Sequence, residues 1–119
     1  MTLLTVDPAS AIPPFEQLRQ QLVTQITSGE LAHGSRLPTV RRLADDLGLA
    51  PNTVARCYRE LEQAGVIETR GRNGSFVSWS ADAGEARVEQ AAQQLVVLAR
   101  EHGVAAERVR ALLDAAFGA

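Results

Sequence analysis

No lysine occurs among the 119 residues, so every long side-chain cation is an arginine. Arginine suits bidentate recognition of phosphate and guanine; a lysine-poor composition also arises from genome composition alone. Cys57 is the single cysteine, which excludes an intramolecular disulfide. No Cys/His spacing resembles a zinc site, so no metal is expected. Nor is there an excess of positive charge: 12 basic residues face 14 acidic ones, a net charge of −2. A nucleic-acid role would therefore have to rest on how the arginines are distributed, not on the overall balance. No apolar run reaches the ~18 residues of a membrane span. The first residues lack the charged and apolar regions of a signal peptide, so a cytoplasmic protein without membrane contact is expected. A phosphate loop, a catalytic triad and a metal motif are all missing, so neither enzymatic activity nor a cofactor is expected. The paired acids Asp45-Asp46 and Glu60/Glu62 read as solvated helix faces, because no nucleophile lies near them in the sequence.

What is present is helical periodicity punctuated by proline and glycine. Met1–Ala11 carries few helix signals and reads as extended or partly disordered. Pro13-Pro14 can open a helix, and Phe15, Leu18, Leu22 and Ile26 form its apolar stripe. Gly29 ends it, and Gly29–Leu37 reads as a turn or short connector. Thr39 is the expected N-cap of a second helix, with Val40, Leu43, Ala44 and Leu47 as its buried positions. Gly48 closes that helix, and only Leu49 and Ala50 separate it from Pro51.

The third helix is predicted over Pro51–Ala64. Pro51 fits its first position and Gly65 fits just past its end. Val54, Cys57, Tyr58 and Leu61 make one apolar stripe, with Asn52, Thr53, Arg56 and Arg59 off it. Cys57 and Tyr58 are read as core. Two short helices joined this tightly form either a helix-turn-helix or an ordinary αα-hairpin. The next segment of the chain favours the helix-turn-helix: Val66–Thr69 and Ser75–Trp79 are β-prone runs flanking Arg70-Gly71-Arg72-Asn73-Gly74. An Asn-Gly turn between two strands is a hairpin signal, and a hairpin here would be a wing with a basic tip.

Ser80–Gly84 reads as a linker. It divides the chain into residues 1–79, with eight Arg and eight Asp/Glu, and residues 80–119, with four Arg and six Asp/Glu. The tail is predicted to be two helices, Glu85–Glu101 and Ala105–Phe117, broken at His102-Gly103. A helical hairpin this short buries too little surface to fold alone. The winged domain could cover one apolar face; a second copy of the chain, related by a two-fold axis, is the better cover for the rest. Val88, Ala92, Leu95, Leu98, Val109, Leu112, Leu113 and Phe117 are the expected dimerisation positions. The fold class is thus mostly α with a small β-hairpin: a winged helix-turn-helix plus a C-terminal two-helix dimerisation hairpin.

The segment Leu37–Val77 resembles the winged helix-turn-helix of GntR-type bacterial transcription regulators, with matching pieces over about 65 residues. The resemblance is carried, in order, by Pro14–Leu18, Ser28–Leu31, Leu37-Pro38-Thr39-Val40-Arg41, Leu43-Ala44, Leu47-Gly48, Asn52-Thr53-Val54, Tyr58–Glu62, Gly65-Val66-Ile67 and Arg70–Val77. The short helical tail and Pro51–Arg56 resemble the YtrA subfamily. The resemblance implies that Arg41 clamps a phosphate or reaches a guanine. It implies that Asn52 and Thr53 begin the recognition helix, and that Arg70, Gly71, Arg72 and Gly74 reach the minor groove or its phosphates. Several branches of the family carry arginine where this chain has Pro51 and Ala55, which shifts the expected base reading to Asn52 and Arg56.

The expected function is a homodimeric, sequence-specific transcription regulator, a repressor acting at an inverted-repeat operator in double-stranded DNA. The resemblance further implies a transporter-linked operon and control by a small-molecule effector. The effector would sit between the tail helices, across the dimer interface, or between tail and winged domain. The alternative is a winged-helix protein-interaction module without sequence-specific DNA binding.

Overall fold

The computed structural model describes residues 4–118. It contains five helices and one two-stranded sheet: α1 (Pro14–Thr27), α2 (Val40–Leu47), α3 (Pro51–Gln63), β1 (Ile67–Thr69), β2 (Ser75–Val77), α4 (Ala81–Glu101) and α5 (Ala106–Phe117). The expected mostly helical winged architecture is what the chain adopts. Two compact units divide at Gly84/Glu85.

The first unit is built around α3. Its stripe of Val54, Cys57, Tyr58 and Leu61 is buried and packs against α1, α2 and β1. Helix α1 contributes Leu18, Leu22 and Ile26, and α2 contributes Leu43 and Ala44. The caps fall where the sequence places them. Pro14 and Pro51 occupy first-turn positions of α1 and α3, and the Thr39 hydroxyl accepts the Arg42 N–H at 3.1 Å. Gly48 adopts φ +67°, the left-handed conformation that ends α2 and leaves only Leu49 and Ala50 before α3. Tyr58 ties the two helices together by donating its hydroxyl to the Pro38 carbonyl at 2.7 Å.

Three expectations need correction. Residues 29–37 are more than a connector. Gly34 N–H bonds to Val77 O, Val77 N–H to Ser35 O and Leu37 N–H to Ser75 O, each at 2.8 Å, around an antiparallel bridge between Arg36 and Phe76. This stretch lies along β2 as a third ribbon of the wing. A pairing of only four residues, the first of them a glycine, leaves no alternating pattern to read. Second, the hairpin loop is not a tight Asn-Gly turn. β1 and β2 pair with Thr69 opposite Ser75, leaving five residues, 70–74, in the loop. A two-residue type I′ turn needs positive φ at both central residues, and Asn73 does not supply it. Gly71 (φ +55°) and Gly74 (φ +101°) carry the reversal instead. Third, Ser80–Gly84 is not a linker. Ser80 Oγ accepts the Ala83 N–H at 3.2 Å, an N-cap, so α4 starts at Ala81. Gly84 lies beneath the Trp79 indole, where a Cβ would come within 2.6 Å of Nε1.

Of the N-terminal stretch, Met1–Leu3 falls outside the described residues. Beyond it residues 4–7 are irregular, a turn follows in which the Ser10 N–H donates to the Asp7 carbonyl at 3.2 Å, and two glutamines pin the stretch to α1. Thr5 exchanges both backbone groups with the Gln21 amide (3.0 and 2.5 Å), and Asp7 does so with Gln17 (2.8 and 3.0 Å).

In the second unit, α4 and α5 have no buried side chain among the described residues. Val88, Leu98, Leu112, Leu113 and Phe117 are exposed, Phe117 at 85%. A shallow groove of about 290 Å³ runs between Leu95, Leu98, Val109, Leu112 and Leu113.

The Tyr58–Pro38 bond is testable. Tyr58→Phe keeps the ring but leaves a carbonyl unpaired beside the core. Chemical denaturation should show a loss of about 1–2 kcal/mol with the m-value unchanged.

Candidate nucleic-acid interface

The first unit carries no net charge over residues 1–79, but its arginines are not equivalent. Four are engaged by carboxylates within the fold: Arg19 by Glu16 (3.4 Å), Arg42 by Asp46 (4.0 Å), Arg56 by Glu60 (3.2 Å) and Arg70 by Glu68 (2.5 Å). Arg36, Arg41, Arg59 and Arg72 have no such partner among the described residues and are exposed. Selective pairing thus separates arginines held within the fold from arginines open to a ligand, without changing the net charge.

Arg41 and Arg42 lie side by side in the first turn of α2. Arg42 turns back to Asp46, one helical turn on, and Arg41 is left free. In the first turn of α3, Asn52 is exposed with no side-chain hydrogen bond among the described residues, and Thr53 is half-buried. Arg56 is placed differently from its neighbours. Its guanidinium lies 4.0 Å from the centre of the Phe15 ring while Nε donates to Glu60. It clamps α3 to the start of α1, as does the Cys57 thiol, which donates to the Phe15 carbonyl at 3.4 Å. Arg59 has no carboxylate partner among the described residues: neighbouring Glu60 holds Arg56, and Glu62 accepts the Thr69 hydroxyl.

In the wing, Arg70 stacks 4.3 Å over the Phe76 ring and donates to Glu68, so it braces the hairpin. Arg72 sits on the single 3-10 turn at the tip, with Gly71 and Gly74 supplying the bends on either side. Arg36 was not singled out by the sequence, yet its guanidinium lies against Gly74. A basic residue two positions before Pro38 was the available signal; the pairing of its segment with β2 is visible only in the structure.

The sequence profile of bacterial regulatory proteins of the gntR family matches residues 14–77, more than half of the chain. The chain belongs to the GntR family. It is 50% identical over 101 residues to the HTH-type transcriptional regulator Rv1152 of Mycobacterium tuberculosis, covering 85% of this chain and 83% of that one. It is 33% identical over 112 residues to the HTH-type transcriptional repressor YtrA of Bacillus subtilis, covering 90% and 86%. Among solved structures, YtrA from Sulfolobus acidocaldarius, a GntR-family transcription factor, superposes with a TM-score of 0.61 at 29% identity, over 79% of this chain and 99% of that one. This GntR protein is therefore a DNA-binding transcription regulator of winged helix-turn-helix type, and its family is one of regulators, not enzymes.

The buried polar groups of α3 serve packing. Burial, then the negative charge of Glu60, pushes the Cys57 thiol up from 9.0 to about 11, against the opposing pull of Arg19 and Arg56. Burial likewise raises the Tyr58 phenol above its usual value. His33 is held by its Nδ1 at 3.2 Å from the Trp79 carbonyl oxygen. No group of three metal-ligating side chains exists among the described residues, and no helix is long and apolar enough to cross a membrane.

A thiol raised this far holds ~100-fold less thiolate at mildly alkaline pH. Cys57 in the native protein should react with a thiol reagent at least about 100-fold more slowly than in urea, when the two rates are compared at one pH. The native state also holds these protons more tightly than the unfolded chain, so stability is full below pH 9.0 and should fall as pH rises toward 11. A denaturation series across that window checks the sign.

Proposed function

We propose that this protein is a homodimeric, sequence-specific repressor that binds an inverted-repeat operator in double-stranded DNA. The observation that carries the reading is the pairing pattern. Arg41 in the first turn of α2, Asn52 at the start of α3 and Arg72 at the wing tip carry free polar or charged side chains, on elements whose neighbouring arginines Arg42, Arg56 and Arg70 are engaged. In this reading α3 enters the major groove. Asn52 pairs with a base edge, Thr53 supports it, and Arg41 and Arg72 hold phosphates. Gly71 and Gly74 let the wing backbone approach the duplex. Arg56 and Arg70 act mainly by bracing α3 and the wing, and each would reach DNA only by leaving its internal partners.

Dimerisation is assigned to α4 and α5. Val88, Ala92, Leu95, Leu98, Val109, Leu112, Leu113 and Phe117 give the second unit an apolar surface with nothing buried beneath it. A two-fold partner covers that surface and sets two α3 helices about 34 Å apart, one turn of DNA. Repression results from occluding a promoter in the cytoplasm, and it agrees with the YtrA relative being a repressor. The residues flanking the α4–α5 groove also provide a route for an apolar effector, which would compete with the partner subunit and change the spacing of the two α3 helices. A transporter-linked operon is the proposed regulatory target. Family membership weighs against an interaction module that lacks DNA binding.

Gel shifts against a panel of single-base operator variants test the assignments. Arg41→Ala should weaken binding to every duplex by about tenfold, the equivalent of one charge-assisted hydrogen bond. Asn52→Ala should flatten preference at one base pair per half-site, by about 1–3 kcal/mol; preference unchanged at every position would remove Asn52 from base reading. Phe117→Asp should convert the dimer to monomer in sedimentation and lose operator affinity with it. A variant that stays dimeric would move the interface elsewhere.

A further inference from the structure

Arg36 combines three properties that a purely structural arginine would not be expected to share. It carries a charge that no carboxylate neutralises among the described residues, although four other arginines of the same unit are paired. Its position is nevertheless fixed. Its backbone bridges Phe76, and the residues on both sides of it hydrogen-bond to β2: Ser35 accepts from Val77 and Leu37 donates to Ser75. Its guanidinium lies flat against Gly74, with Nε 3.0 Å and Nη2 3.3 Å from where a Cβ would stand. Gly74, at φ +101°, therefore answers two demands: the loop needs its conformation, and the arginine needs its missing side chain.

The third property is location. Arg36 lines a depression of about 510 Å³ together with Pro38, Thr39, Arg42 and Asp46. The Asp46 carboxylate is the only negative group on that lining among the described residues and stands 4.0 Å from Arg42, so Arg36 is the uncompensated charge there. The depression runs from Arg36 to the first turn of α2, where backbone N–H groups add partial positive charge. An arginine with its backbone anchored on β2 and its guanidinium resting beside a glycine has less conformational freedom to lose when it receives a ligand.

We propose that Arg36 is a DNA-backbone contact, receiving one phosphate where the wing meets the start of α2. This rests on the DNA-binding reading given above and adds a cation to it that belongs to neither the recognition helix nor the wing tip. Such a contact is blind to sequence, so it should appear on any duplex.

The test is a salt series, from about 50 to about 200 mM, on a random-sequence duplex of about 30 base pairs with wild-type protein, Arg36→Gln and Arg36→Lys. Arg36→Gln should bind several-fold more weakly throughout, and its plot of log affinity against log salt should be shallower by about 0.9 per subunit. Arg36→Lys keeps the charge and should keep the wild-type slope. Thermal melting should find both variants within about 2 °C of wild type, as for an exposed residue. A wild-type slope in Arg36→Gln overturns the inference. So does a slope lowered equally in Arg36→Lys, which would assign the effect to packing on Gly74. If Arg36→Gln melts early, Arg36→Met, a neutral side chain of similar length, takes its place: a shallower slope with a wild-type melt upholds the contact and a wild-type slope overturns it. Wild-type protein that binds no duplex would overturn the underlying reading, and this inference with it; wild-type binding beside an unchanged Arg36→Gln slope overturns this inference alone.

Discussion

Helix α3 has to be insoluble on one side and available to solvent at one end. Its stripe of Val54, Cys57, Tyr58 and Leu61 is the common surface on which α1, α2 and the wing assemble. Thirteen residues give fewer than four turns, so little length is spare for both tasks. The helix divides them by position: burial takes the interior of the helix, and the first turn stays clear. The Tyr58 hydroxyl reaching Pro38 and the Cys57 thiol reaching Phe15 fix its azimuth from two directions. Rotating α3 by one residue would carry Arg56 to the buried azimuth that Cys57 now holds, so the geometry of the first turn is set by the core.

The helices were readable because each rests on a local rule. Apolar spacing of three and four residues, proline at the first turn and glycine past the last fixed α1, α2 and α3 to within a residue or two. The wing was readable as a hairpin but not in detail. Its loop type depends on which of five residues take positive φ, and Gly71 and Gly74 displaced the expected Asn-Gly pair. The third ribbon at residues 34–37 was hidden because it consists of long-range backbone bonds made by residues without β character. The Ser80 cap was hidden for a related reason: Gly84 suggests a break, and only the indole packed on it explains why a helix keeps it.

The charge pattern of the proposed site was half legible. The sequence marks Arg41, Arg56, Arg70 and Arg72 as basic residues near the right elements, but it does not say which of them are already occupied. Pairing at i, i+4 takes Arg42 and Arg56, and aromatic stacking takes Arg56 and Arg70. An arginine engaged twice, as Arg56 is by Phe15 and Glu60, contributes rigidity before it contributes recognition. The family relationship supplies the kind of partner, and the internal pairing narrows the choice of contact residues.

The packing of Trp79 on Gly84 gives the molecule a built-in optical reporter. The chain has a single tryptophan, so its long-wavelength emission arises at one point, the joint between β2 and the first turn of α4. There the indole nitrogen faces helix backbone at a glycine, and the Trp79 carbonyl holds His33. Loosening of that first turn admits water to the ring and moves the emission to longer wavelength, with no label attached. With one tryptophan in the chain, that long-wavelength signal comes from this joint and from the edge of the core on which the indole packs.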